Sequence, residues 1–215
     1  MNDFNFAKVL KTPRKIRMYY YQLWNTLCLK INGVKTGKNV RVYNRRHLKI
    51  HPMAKVVLGN NVSIVCGDNY NPLCRNIDGS LCAEYPDSII EIGEESGLSS
   101  PCIWAKKQIT IGKRVKIGGD CILLDSDCHS LDWRQRCLSE DKSEGLPVDT
   151  LNAKISPIII GDDVFIGTRS IILKGVRIGD RSIIAAGSVV TKNIPSDCIA
   201  AGNPAIVIRK INENI

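Results

Sequence analysis

An aliphatic residue occupies every sixth position from Ile160 onward: Ile166, Ile172, Ile178, Ile184 and Val190 follow without a gap. Four places after each comes a small or β-branched residue (Val164, Ser170, Val176, Ser182, Ser188, Ile194), and Gly or Ala often follows the aliphatic one directly, as at Gly161, Gly167, Gly179 and Ala185. The unit recurs earlier as LGNNVS from Leu58, IGEESG from Ile92, LSSPCI from Leu98, IGKRVK from Ile111 and IGGDCI from Ile117. With a degenerate start near Leu48, repeats cover most of residues 48–195. A six-residue period suits neither an α-helix nor a plain hairpin strand. A short strand followed by a turn does repeat in six, so aliphatic side chains stack coil over coil while small residues and Gly at the bends keep the interior from overfilling. Three such edges close a triangular coil, and the pattern predicts an all-β solenoid.

Two polar stretches rich in Gly, Pro and Asp interrupt the repeat, at residues 67–88 and 125–157, and are predicted to be loops inserted between coils. In repeat proteins such insertions often gather on the binding face. Ahead of the repeat, Phe6, Val9, Leu10, Ile16, Tyr19, Tyr20, Leu23, Trp24, Leu27 and Ile31 recur at helical intervals among Lys8, Lys11, Arg14, Lys15 and Arg17, which predicts a basic amphipathic helix, broken near Pro13. The expected organisation is a helical arm over 1–33, the solenoid over 34–205 and a tail over 206–215.

Charge sharpens the view of that arm. Residues 1–50 hold twelve Lys and Arg against one acidic residue, Asp3, whereas the remainder holds 18 basic and 20 acidic residues, so the overall charge of +9 is an N-terminal property. The arm's apolar stretch is broken by charge and falls short of the ~20 residues that cross a bilayer. Three roles stay open to it: packing on the rest of the protein, which is favoured, lying on an anionic membrane surface, or contacting nucleic acid, which is disfavoured. Nine cysteines form an odd set with no CxxC pair, and no apolar leader opens the chain, so a reduced, cytoplasmic protein is expected, with the inner membrane face as its other place. Cys74 and Cys82 lack the partners a zinc site needs, and no metal is expected.

Of the three histidines, His47, His51 and His129, only His129 falls where the repeat is interrupted. Imidazole titrates near about 6.5, which suits it to accept a proton from an attacking hydroxyl. Asp125 and Asp127 lie close to His129 in sequence, where turn formation is the plain role for either. The inserted Arg75 and Asn76 are suited to recognising hydroxyl or carboxylate groups.

The run IGKRVKIGGDCILLDSDCHSL from Ile111, together with IIAAGSVVTKNIPSDCIAAGNPAIVIRKI from Ile183, resembles the hexapeptide-repeat acyltransferases. The nearest likeness is to sugar O-acetyltransferases of the galactoside and maltose type and to their polysaccharide-modifying relatives. That resemblance implies a left-handed parallel β-helix, with His129 as catalytic base and Asp125 and Asp127 as the groups that orient its ring, acetyl-CoA as co-substrate, a carbohydrate acceptor and a homotrimer. It also implies a cofactor groove drawing on Gly167, Thr168, Ala185, Ala186, Thr191, Lys192 and Pro204. Small residues allow close approach of a pantetheine arm, and Arg209 and Lys210 are candidates to meet the CoA phosphates. Ser99 or Ser100 takes the place where some relatives carry an acceptor-positioning Asn, and both are candidate substrate-binding residues.

Competing readings are an N-acetyltransferase acting on an amino sugar or xenobiotic amine, and a non-enzymatic scaffold that binds membrane or nucleic acid through the basic arm. A γ-type carbonic anhydrase would need three zinc-binding histidines, and two of the three here lie far from the repeat's break. A nucleotide-sugar pyrophosphorylase would need a nucleotide-binding domain ahead of the helix, which this sequence does not carry.

Overall fold

The computed structural model describes residues 6–67, 70–74, 77–137, 142–143 and 146–211. Short strands wind into three sheets that form the sides of a left-handed parallel β-helix. Sheet one runs Lys35–Thr36, Lys55–Leu58, Ile89–Ile92, Gln108–Ile111, Ile158–Ile160 and Arg177–Ile178; sheet two begins at Arg41–Tyr43 and ends at Cys198–Gly202 and Ala205–Lys210; sheet three runs from Arg46–Ile50 to Val189–Val190. Every pairing within these sheets is parallel except the last in sheet two, where Ala205–Lys210 turns back antiparallel on Cys198–Gly202. The expected tail therefore begins as an ordered hairpin that closes the end of the solenoid.

The aliphatic positions meet in register. Leu58, Ile92, Ile111, Ile160 and Ile178 pair in succession on sheet one. Ile64, Leu98, Ile117, Ile166 and Ile184 do so on sheet two, and Leu81, Ile103, Leu123, Ile172 and Val190 on sheet three. All are buried. Burying one such side chain typically contributes about 1.5–3 kcal/mol. The small residues between the columns are polar yet satisfied: Ser96 donates to Gly112 O and accepts from Val115 N, and Ser182 donates to Pro195 O.

At the corner after each sheet-one strand, Gly37, Gly59, Gly93, Gly112, Gly161 and Gly179 lie one above another. A Cβ on Gly112 would come 2.5 Å from Gly161 O, so glycine is required by the approach of the next coil's backbone and not by an unusual φ. The positive φ falls on non-glycine residues instead, at Asn61, Glu95, Arg114, Asp163 and Arg181.

The solenoid's strands begin at Lys35–Thr36 and Arg41–Tyr43, ahead of the first legible repeat. Two details differ from those predicted. Residues 67–88 are not wholly a loop, because Gly79–Ala83 alternates inward with Gly79, Leu81 and Ala83 and joins sheet three. The N-terminal helix Phe6–Ile31 runs through Pro13 without ending there. The second insertion lies where predicted, between Ile122–Leu124 and Ile158–Ile160, and carries the short helices Trp133–Arg136 and Val148–Leu151. Across it, bonded corner residues such as Lys113 and Asp162 are 49 positions apart, whereas the next rung joins Asp162 to Asp180 over 18.

Candidate active site

The second insertion leaves the corner that follows sheet three. Asp125 turns inward there, fully buried, and its carboxylate accepts from the N–H groups of Lys106, Lys107 and Gln108 at 2.7 Å each. Burial pushes this carboxyl above the usual carboxylate range while the three amide donors pull it back. Asp125 closes the corner of the coil beneath. Asp127 ion-pairs with Lys174 at 2.5 Å on the coil above. Neither carboxylate is the partner of His129, so the expectation that Asp125 and Asp127 orient the ring is corrected: both are already spent on the corner.

Just beyond them the chain kinks sharply. Cys128 adopts φ +62°, Ser126 Oγ accepts from Cys128 N at 3.2 Å, and Asp127 O accepts from His129 N at 2.7 Å. This turn throws the His129 side chain outward, 64% exposed. Its Nδ1 lies 2.6 Å from Oδ2 of Asp149, a residue on the helix Val148–Leu151 whose side chain is only 5% exposed. The hydrogen bond to His129 holds the Asp149 carboxyl below the usual carboxylate range, so it is an anion at neutral pH. An anion at Nδ1 favours the tautomer with its proton there, which leaves the Nε2 lone pair facing solvent.

Both arms of the loop hang on one buried cation. Lys106 Nζ donates to Thr150 O at 3.0 Å and to Cys128 O at 3.4 Å, the carbonyls adjoining Asp149 and His129, and lies 5.4 Å from the centroid of the Tyr85 ring. Burial lowers its pKa, with Asp125, Asp149 and Glu84 opposing. Lys106→Met is expected to strip both carbonyls of their donor, at about 1–3 kcal/mol. Amide hydrogen exchange should then speed up across 126–131 and 148–151 while sheet-core amides stay protected; unchanged exchange in the loop would refute this tether.

Ser100 is buried, accepting from Gly67 N at 2.8 Å and donating to Ile77 O at 2.7 Å. It staples the first insertion to the solenoid, which corrects its reading as a substrate ligand. Ser99 faces outward on sheet two beside Lys116 and Phe165. Arg75 and Asn76 lie outside the described residues. His47 sits 4.0 Å from Asp78, and His51 Nδ1 accepts from Met53 N, so neither joins His129.

Gly167, Thr168, Ala185 and Ala186 come together at the corner after sheet two, where a Cβ on Gly167 would strike Ala186 N, and Thr168 Oγ1 donates to Gly119 O at 2.5 Å. Thr191 and Lys192 follow Val189–Val190 instead, on the same corner as the root of the His129 loop. Pro204 is exposed at the tip of the final hairpin, and Arg209 and Lys210 lie on its return strand. One protomer thus divides the predicted groove between two corners.

Residues 157–192, the coils directly above this loop, match the family model for the hexapeptide repeat of succinyl-transferase. Over those coils the chain carries the hexapeptide repeat. Over 58 residues it is 50% identical to the 2,3,4,5-tetrahydropyridine-2,6-dicarboxylate N-acetyltransferase of Staphylococcus aureus, a match covering 27% of this chain and 24% of that one. The match thus spans about a quarter of that curated relative's length. A hexapeptide-repeat acetyltransferase from Vibrio cholerae is similar in structure with a TM-score of 0.56 at 24% identity, covering 88% of this chain and 80% of its own. A galactoside acetyltransferase solved with coenzyme A gives 0.55 at 24%, covering 99% and 86%. These likenesses establish the fold alone.

Two features of the loop were absent from the sequence reading. Asp149 stands twenty residues beyond His129 in a stretch without repeat, and no spacing rule connects the two. Leu131 and Trp133, beside His129 in the chain, are both mostly exposed.

Proposed function

We propose that this protein transfers an acetyl group from acetyl-CoA to a hydroxyl of a sugar or polysaccharide precursor, with His129 as general base. The observation that carries the reading is the exposed imidazole whose Nδ1 is engaged by a buried carboxylate. An acceptor hydroxyl loses its proton to Nε2 as its oxygen attacks the thioester carbonyl carbon. The tetrahedral intermediate collapses with cleavage of the C–S bond, and the proton passes from Nε2 to the departing thiolate. Asp149 stabilises the transient imidazolium and fixes its tautomer. Backbone N–H groups near the loop are suited to receive the oxyanion. Trp133, exposed in the same loop, offers an aromatic face of the kind on which a sugar ring packs.

Acetyl-CoA is assigned to the groove of small residues at Gly167, Thr168, Ala185 and Ala186, with Thr191, Lys192, Pro204, Arg209 and Lys210 as its further lining. The separation of these groups over two corners of one protomer favours a cyclic assembly, a trimer, in which one copy's corner faces its neighbour's. A cytoplasmic setting suits the nine unpaired cysteines.

The stretch of 50% identity to an N-acetyltransferase supports a second reading, with an amine as acceptor. The base and the thioester site would be unchanged. Release of free CoA from acetyl-CoA over a panel of sugars, oligosaccharides and amines separates the two readings, and turnover with amines alone would replace the first by the second. Asp149→Asn is expected to lower kcat at least about tenfold with little change in KM for acetyl-CoA. Equal kcat in that variant would remove Asp149 from the mechanism.

A further inference from the structure

The N-terminal helix Phe6–Ile31 packs on the solenoid with the face that bears Asn25 and Leu29. Asn25, fully buried, donates through Nδ2 to Val42 O at 2.7 Å and Asn44 O at 3.0 Å, and Leu29 enters the core beside Val34 and Val42. The helix thereby covers the open end of the solenoid. On its opposite side Ile16, Tyr20, Leu23, Leu27 and Ile31, spaced by three or four residues and flanked by Tyr19 and Trp24, form one continuous stripe. Leu23 is 75% and Ile31 74% exposed. Isolated exposed apolar residues are ordinary, but a stripe along four turns of helix marks an interaction face.

The charge around the stripe selects its occupant. Lys15, Arg17, Lys30, Lys35, Lys38 and Arg45 are exposed, and the sequence holds no acidic residue between Asp3 and Asp68. A second copy of this face would bring two such basic surfaces together. An anionic surface would neutralise them, and a bilayer interface also accommodates Tyr19, Tyr20 and Trp24, whose rings carry a polar edge on an apolar body. No helix among the described residues is long and apolar enough to cross a membrane.

We propose that this helix docks the protein on an anionic lipid bilayer, lying in the interface with the Ile16–Ile31 stripe immersed and the flanking lysines and arginines against the headgroups. The solenoid then stands off the membrane on its capped end. This docking is independent of the acetyl-transfer chemistry.

The full chain is sedimented with vesicles of phosphatidylglycerol and phosphatidylcholine in equal parts, and with phosphatidylcholine alone. Wild type is expected to partition onto the anionic vesicles and to be released by salt, and Leu23→Glu/Leu27→Glu to weaken partitioning at least about tenfold. Both leucines are exposed, so the far-UV circular dichroism and the size-exclusion volume of the double variant should match wild type. The proposal is overturned if wild type stays in the supernatant with the anionic vesicles, or if the variant binds them equally. It is also overturned if the variant changes oligomeric size, which would make the stripe a contact between copies. Release of CoA with a soluble acceptor should be the same in both proteins, so failure here leaves the proposed reaction untouched.

Discussion

Replacing His129 by alanine is expected to lower acetyl transfer to a hydroxyl acceptor by about 10²- to 10⁴-fold, the usual contribution of a positioned proton acceptor. The loss should fall on kcat, because in the proposed mechanism the imidazole is a base for the acceptor and not a ligand for the nucleotide. Stability should change little, since the ring is 64% exposed and its bond to Asp149 is the loop's and not the core's. Removing the imidazole leaves the buried Asp149 carboxylate without its ring partner, which costs the loop more than the solenoid. His129→Gln keeps a hydrogen-bonding group in place of the ring yet has no basic nitrogen, so it should be as inactive as alanine. Turnover close to wild type in either folded variant would end the assignment.

The largest structural effect is expected at the glycine corners. Gly112→Ala would press its methyl against Gly161 O and C and the Asp162 carboxylate, all within 2.6 Å, and the first two are backbone atoms of a coil that is itself bonded to the next. Such overpacking costs about 1–3 kcal/mol or more, and Gly112→Val adds two methyls to the same gap, against a total stability of typically about 5–15 kcal/mol. The valine variant should therefore be recovered largely unfolded. Gly187→Ala serves as the contrast, since its φ of +73° strains an L-residue but nothing stands within 4 Å of the new methyl. There a cost of about 1 kcal/mol is expected. Urea denaturation of the two alanine variants ranks them, and a Gly112→Ala protein as stable as Gly187→Ala would overturn the close-approach account.

That contrast shows how far the repeat could be read. The period identified the inward columns, and Ile111, Ile160 and Ile178 stack as the spacing requires. The glycines were legible in position but not in cause: they read as bends, whereas the positive φ falls on Asn61, Glu95 and Arg114, of which Asn61 has the short polar side chain that suits the left-handed region. The strand Gly79–Ala83 escaped because its alternation spans only five residues after a polar loop. The amphipathic helix was visible from its spacing, but packing on the rest of the protein was favoured for it. The face that packs is the one bearing Asn25, because the solenoid's end presents the backbone carbonyls of Val42 and Asn44, which an amide satisfies and a leucine does not. At the site, His129 was legible as the residue at a break in the period. Its partner Asp149 was not, since the contact is made by a loop closing on itself across twenty residues.

The insertion that holds both residues also sets the order in which the molecule can be put together. Joining Lys113 to Asp162 means closing 49 residues of chain, against 18 for the rung above, an entropic handicap of about 1 kcal/mol for that step alone. Coils on either side propagate by near-neighbour contacts and can form without waiting for it. Folding is therefore expected to run in two blocks that meet at this rung, with the loop that carries His129 and Asp149 as the tether between them.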